Sequence, residues 1–228
     1  MNAPSLIGFF ALWHNKRSEY HADAQELATT NANIQQAFHK AKERGIYMFP
    51  RYGCRWSSER QYFTFWICPD LSSLESSMDD LERAGDFKFA DSEHIIGIRV
   101  PDAEMTDEDY LVPRPDYEGL PIAFFAIWRR TEAFHRSDGQ IQGTIDRNVR
   151  QVFRTARAQG VRMLGRYDCR WSSSWDYFTF WLLPSLETLE VIMERLEAVG
   201  DFWHAESRHM IGNHEPYFRL GRHLLKAK

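Results

Sequence analysis

The sequence predicts an α+β fold made of two tandem βαββαβ units whose antiparallel sheets pack face to face within one chain. Three observations carry that expectation. Set against itself with an offset of 115 residues, the chain aligns without a gap from Gly8 to Gly97, and 40 of those 90 positions are identical. Each copy runs through the same order of local signals, namely strand, helix, hairpin, helix and strand, which is the split βαβ arrangement. The hairpin strands carry large residues on both alternating sets, with Phe63, Phe65 and Ile67 on one and Tyr62, Thr64 and Trp66 on the other. A sheet with helices on one face only would expose such a surface, and a second copy can cover it.

The elements follow in order. Phe9 to Trp13, repeated as Phe124 to Trp128, is a short aromatic run suited to a strand buried on both faces. Ile34, Ala37, Phe38 and Ala41 then fall at i, i+3, i+4 and i+7 and line one helical stripe that Gly45 closes; Val149, Val152, Phe153, Ala156 and Gly160 repeat it. Ile46 to Arg55 and Gln61 to Cys68 form a hairpin around the polar connection Trp56 to Arg60. Asp70 or Ser72 caps a second helix whose Leu71, Leu74, Met78 and Leu81 face one side and which Gly85 ends. A last strand near His94 to Val100, and again near His209 to Asn213, completes each unit.

The expected organisation is a first repeat over residues 1–100, an acidic proline-containing linker over 101–121, a second repeat over 122–215 and a basic tail over 216–228 that forms a short docking helix. A net charge of -4, with no block of Lys and Arg, argues against a nucleic-acid partner. No signal-like N-terminus and no long apolar run is present, and the three cysteines form no CxxC pair or disulfide framework. These features predict a cytoplasmic protein without a membrane partner.

The motif Arg-Tyr-x-Cys-Arg-Trp-Ser-Ser is retained in both hairpins, at Arg51 to Ser58 and Arg166 to Ser173. Alternation along the strand puts Ile46, Met48, Tyr52 and Cys54 on one face, which reads as the helix-packed face. Arg51 and Arg55, with Arg166 and Arg170 in the second copy, then point toward the partner sheet or its rim. Planar guanidinium groups between apolar walls favour carboxylate or phosphate, so these four arginines, with Trp13, Trp66, Trp128 and Trp181, are the candidate substrate-binding residues. The simpler alternative is that the arginines pair with acids across the sheet interface and fix its register. Tyr52 and Tyr167 are candidate acids if they are not core residues. Cys54 and Cys169 read as small core residues, the Ser pairs as turn chemistry, and the repeated Gly-Asp-Phe as a helix cap followed by a core Phe. His94 and His209 are equivalent positions and the remaining catalytic candidates. In the second copy His204, Glu206 and His209 lie close enough in sequence to suggest a metal or haem edge.

The duplicated βαββαβ pattern resembles the fused form of the dimeric α+β barrel superfamily, built from ferredoxin-like repeats. That resemblance implies several functions: cofactor-free monooxygenases, haem-binding chlorite dismutase-like proteins, haem-degrading enzymes and lyases all use the fold. The leading expectation is a small-molecule enzyme or ligand-binding protein, of monooxygenase or lyase type, acting on a compact aromatic or anionic metabolite without a cofactor. The alternatives are a haem- or transition-metal-dependent enzyme using His209 or His94, and a non-catalytic assembly protein. A homodimer is compatible with each.

Overall fold

The computed structural model describes residues 6–100 and 120–214, so most of the linker and the whole basic tail lie outside the described residues. The first repeat contains β1 (Ile7–Asn15), α1 (Arg17–His21), α2 (Ala24–Glu43), β2 (Tyr47–Met48), β3 (Tyr52–Gly53), β4 (Tyr62–Cys68), α3 (Leu71–Ala84), α4 (Asp86–Phe89) and β5 (Ala90–Val100). The second contains β6 (Ile122–Arg130), α5 (Glu132–Arg136), α6 (Gly139–Ala158), β7 (Arg162–Asp168), β8 (Tyr177–Leu183), α7 (Leu186–Ala198), α8 (Asp201–His204) and β9 (Ala205–His214). The short helices α1, α4, α5 and α8 add to the predicted plan. The long helices start and stop where capping chemistry requires. Asp23, Asp70, Asp138 and Ser185 each accept a backbone N–H of the first turn, and Gly85 and Gly200 take the left-handed conformation after the last.

Within each repeat the central strand pairs with its two neighbours, giving the orders β3-β4-β1-β5 and β7-β8-β6-β9. The sheets face each other as expected, and their edges also join. Arg99 pairs with Tyr167 across β5 and β7, while its twin His214 pairs with Tyr52 across β9 and β3. The result is a closed antiparallel barrel with pseudo-twofold symmetry and no exposed edge among these strands. The retained serines belong to this closure. Ser57 Oγ accepts from the Ile211 N–H at 3.1 Å and donates to the Ile211 carbonyl at 2.6 Å, and Ser172 Oγ donates to the Ile96 carbonyl at 2.5 Å. Their role thus extends beyond local turn chemistry.

The barrel fills itself. Phe10 stacks on its twin Phe125 with centroids 3.6 Å apart, and Phe65 stacks on its twin Phe180 at 4.8 Å. Phe49, Tyr52, Phe63, Tyr167 and Phe178 pack around them, with aliphatic side chains such as Leu12, Ile127 and Met210 between. A second apolar layer on the outside of each sheet packs under the helices, Ile34, Ala37 and Ala41 in one repeat and Val149, Val152 and Ala156 in the other. Leu71, expected on that stripe, is exposed because it stands in the first turn, before α3 reaches the sheet.

The hairpin strand departs from simple alternation. Met48 lies opposite Trp66, but Tyr52 lies opposite Phe63, so one strand advances four residues while the other advances three. Met163 and Arg166, opposite Trp181 and Thr179, repeat the irregularity. Each is a β-bulge, and each reverses which face later residues occupy. Tyr52, Cys54, Tyr167 and Cys169 therefore enter the barrel and not the helix-packed face, and the motif arginines turn outward toward the helices, opposite to the expected direction. Pro50 and Gly165 stand at the same repeat position inside the bulges.

No helix among the described residues is long and apolar enough to cross a membrane. Two tests of this packing follow. A Cβ at Gly97 would stand 2.6 Å from Phe178 and 2.7 Å from Tyr167, so Gly97→Ala lowers stability by about 1–3 kcal/mol in denaturant unfolding. Asp80 joins α3 to Arg44 at 2.6 Å and also meets Arg83 and Lys40, and these cations hold its carboxyl down at about 2, Arg44 contributing most. A depressed folded-state value adds stability above the ordinary carboxylate range that is lost as pH falls through the folded value. Asp80→Asn is accordingly less stable than the parent near neutrality, and the gap closes as pH approaches about 2.

Candidate functional site

A cavity of about 680 Å³ lies between the sheet and the helices of the second repeat, on the outside of the barrel. Its floor is built by the outward-facing residues of β6 to β9, including Phe124, Trp128, Tyr177, Trp181 and His209. Val149 and Phe153 of α6 and Met193 and Leu196 of α7 form the roof. The bulge in β7 brings Arg166 into this space. Phe153 meets Trp181 edge-on at 5.4 Å and Trp128 lies 4.9 Å from the Tyr177 ring, so the walls are aromatic and mutually braced.

The charges are not balanced. Five arginines (130, 150, 157, 166 and 170) line the cavity against three aspartates (146, 176 and 201). Arg130 is committed: it pairs with Asp146 at 2.8 Å and Asp201 at 3.3 Å and lies over the Phe134 ring at 4.3 Å. Burial pushes the Asp201 carboxyl up, and Arg130 opposes that rise. Arg170 is held by Asp168 at 2.5 Å. Arg166 differs, because its guanidinium lies over the Tyr177 ring at 5.0 Å with no carboxylate partner among the described residues, and its buried Nε makes no hydrogen bond. A partly buried guanidinium on an aromatic face, without a carboxylate partner, keeps planar donors of the kind that match an anion.

His209 is the half-buried imidazole of the floor. Its ring lies 5.0 Å from Phe124 and 6.4 Å from Phe202, and it makes no hydrogen bond among the described residues. Burial lowers its pKa, which leaves a neutral ring with a nitrogen lone pair. His94 has the same surroundings in the first repeat, 5.1 Å from Phe9 and 6.0 Å from Phe87, and burial lowers its pKa as well.

The structure separates the other sequence candidates. Glu206 is the strand neighbour that faces away from the His209 side and is paired with Arg129 at 2.8 Å, while His204 sits in α8 near Phe134. His204, Glu206 and His209 do not converge, and no group of three or more His, Cys, Asp or Glu among the described residues is placed to hold a metal ion. Tyr52 and Tyr167 are buried in the barrel, and the Tyr167 hydroxyl donates to the Leu164 carbonyl at 3.0 Å. Trp128 and Trp181 line the cavity; Trp13 and Trp66 hold the matching places in the first repeat, where Arg51 lies over Tyr62 at 4.5 Å and Arg55 donates to the Tyr62 hydroxyl at 2.7 Å. Burial raises the Cys169 thiol, which disfavours the reactive thiolate. Sequence reading missed Tyr177 and the Asp146–Arg130–Asp201 set. Arg130 and Asp146 replace Asn15 and Asn31 of the first copy, a paired gain of charge visible in the alignment. Phe202, read as core, is partly exposed at the cavity rim.

No protein-family model and no curated protein matches this sequence. Solved structures do. A doubly substituted chlorite dismutase from Candidatus Nitrospira defluvii superimposes with a TM-score of 0.76 at 13% identity, over 94% of this chain and 93% of that one. The fold is chlorite dismutase-like. The same enzyme in complex with imidazole gives a TM-score of 0.71 at 13% identity, covering 94% and 93% of the two chains. The protein TA0507, provisionally assigned as a chlorite dismutase, gives 0.73 at 9% identity, covering 94% and 96%. The chlorite dismutase-like fold thus extends over both repeats, and at these identities the likeness is one of backbone.

In an NMR titration both His94 and His209 change protonation below the ordinary imidazole range. Because the folded-state value lies under the unfolded one, the neutral rings contribute stability above about pH 6.5 that is lost as pH falls through the folded values. His209→Gln therefore removes part of the acid sensitivity of unfolding.

Proposed function

We propose that the second-repeat cavity binds a planar, anionic aromatic small molecule, and that the molecule is haem, which would make the chain a haem-dependent enzyme. The observation that carries the reading is Arg166: an anion-binding group without a counter-ion, set among aromatic walls in a cavity of about 680 Å³. That volume falls within the range of small-molecule and cofactor sites, about 300–1,000 Å³. The chlorite dismutase-like fold, a superfamily branch associated with haem, supports the finer choice.

The residues present fit such a group. His209 offers a neutral nitrogen donor in the wall, and the aromatic faces of Trp128 and Trp181 suit a flat ring system. Arg166, with Arg150 on α6, can pair with peripheral carboxylates. Bound haem would supply a redox-active iron. The chain's own contribution is to exclude water with Phe124, Phe153 and Met193, to orient the ring, and to place positive charge near an anionic substrate.

A second reading, a cofactor-free site for a small aromatic carboxylate, is favoured by one specific feature. Histidine ligands of metals usually donate their second ring N–H to an acceptor, and His209 has none among the described residues.

Titration of the purified protein with hemin separates the readings. A shifted Soret band that His209→Ala alters in position, and a fall in affinity of about tenfold or more in Arg166→Ala, are expected. No Soret change, with benzoate binding that depends on Arg166, would leave the second reading in its place.

A further inference from the structure

The two repeats differ on the outer side of their helix pairs. In the first, Asn33, Gln36, Ala37 and Lys40 recur at i, i+3, i+4 and i+7 along one side of α2 and meet Asp80, Arg83 and Ala84 of α3. An open cleft of about 230 Å³ runs between them. Ala37 and Ala84 are buried and keep its floor low. The matching residues of the second repeat are Val152 and Val199, which add bulk where the first has a methyl group.

The charges change with the floor. Arg44 and Arg83 donate to the buried Asp80 carboxylate at 2.6 Å and 2.9 Å, and Lys40 Nζ stands 3.7 Å away. Arg44 also donates to Ser77 Oγ at 3.1 Å, which fixes it behind the cleft. Three cations against one carboxylate leave two positive charges, and Asp79 and Glu82, though close in sequence, do not line the cleft. Lys40 is too far from Asp80 for a hydrogen bond, so its donors remain available, and Asn33 and Gln36 bring amide donors to the same space. In the second repeat Thr155, Gln159 and Ala198 replace the three cations and Arg195 replaces Asp80, so the whole set belongs to one copy.

We propose that this cleft binds a phosphate group, as the free ion or as the phosphoryl end of a small metabolite. The match is one of charge: a phosphate monoester carries about −1.5 to −2 near pH 7, against the two unbalanced cations, whereas a carboxylate would offset only one. The volume lies below the roughly 300–1,000 Å³ of sites that enclose a whole small molecule, so the anionic group is what fits. Arg83 can meet two oxygens through its planar fork, and Lys40 acts as a point charge on a third. Asp80, ionised beneath them, holds the guanidinium groups in place. The cleft shares no residue with the second-repeat cavity, and the inference is independent of what that cavity binds.

Titration of the full-length protein with inorganic phosphate, at an ionic strength held constant with sodium chloride, tests it. NMR signals of the Asn33 and Gln36 side-chain amides and of Arg83 Nε–H are expected to shift and saturate. Lys40→Thr and Arg83→Ala place the second-repeat residues at two exposed positions, and each is expected to weaken binding about tenfold, the scale of one charge-assisted hydrogen bond. Lys40→Arg, which keeps the charge, retains it. Phenyl phosphate binding as tightly as phosphate assigns the site to a phosphoryl group on a larger molecule, and phosphate binding alone assigns it to the free ion. No saturating shift at these groups, equal binding of benzoate, or affinity unchanged in both Lys40→Thr and Arg83→Ala overturns the proposal.

Discussion

Everything in this molecule follows from the way two copies of one sheet bury aromatic side chains against each other. Phe10 and Phe125, twins in sequence, meet at the pseudo-twofold axis, and Phe65 and Phe180 repeat the contact. Burial of such rings is the main favourable term in folding, and here it also removes the barrel interior as a binding space. Gly97 and Gly212 show how tight the fit is, since a methyl group at either would overlap rings from the other repeat. With the interior closed, room for a small molecule has to be found outside the barrel, beneath the helices.

The bulges decide what that outer space contains. A single extra residue at Pro50 or Gly165 reverses the alternation of the hairpin strand, sending Tyr52 and Tyr167 inward to complete the barrel and the preceding arginines outward. One local irregularity thereby serves both packing and the candidate site. The two repeats then diverge in what they do with the space. In the first, Arg55 ties up Tyr62 and Arg60 ties His14 to Asp91; in the second, Trp175 replaces Arg60, and Arg129 moves onto Glu206 and over the Trp175 ring. Each copy thus keeps one ion pair at these positions, Arg60–Asp91 in the first and Arg129–Glu206 in the second, and the second adds the Trp175 ring beneath its arginine.

Much of the fold was legible because duplication doubles every signal. The apolar stripes of α2 and α6, the caps at Asp70 and Ser185, and the terminating glycines all stand where spacing puts them, and the apolar hairpin called for a second sheet. Of the candidate residues, Arg166, Trp128 and Trp181 do share one cavity, but it lies on the helix side of the sheet and not between the sheets, where alternation had put the arginines. Simple alternation cannot reveal a bulge. The available sign was Pro50 aligned with Gly165 inside a strand, two residues that each weaken a ladder for a different reason. Tyr177 was hidden for another cause: Tyr62 stands at the same place in the first copy, so the residue itself carries no mark of difference, and its surroundings change through separate exchanges such as Gln61 for Asp176 and Asn15 for Arg130.

The most direct test is a crystal structure of the protein grown with hemin. The account requires electron density for the ring under α6 and α7 of the second repeat, against Arg166 and Tyr177, with Phe10 still stacked on Phe125 at the barrel axis. Density between the two sheets, with those phenylalanines displaced, would contradict it.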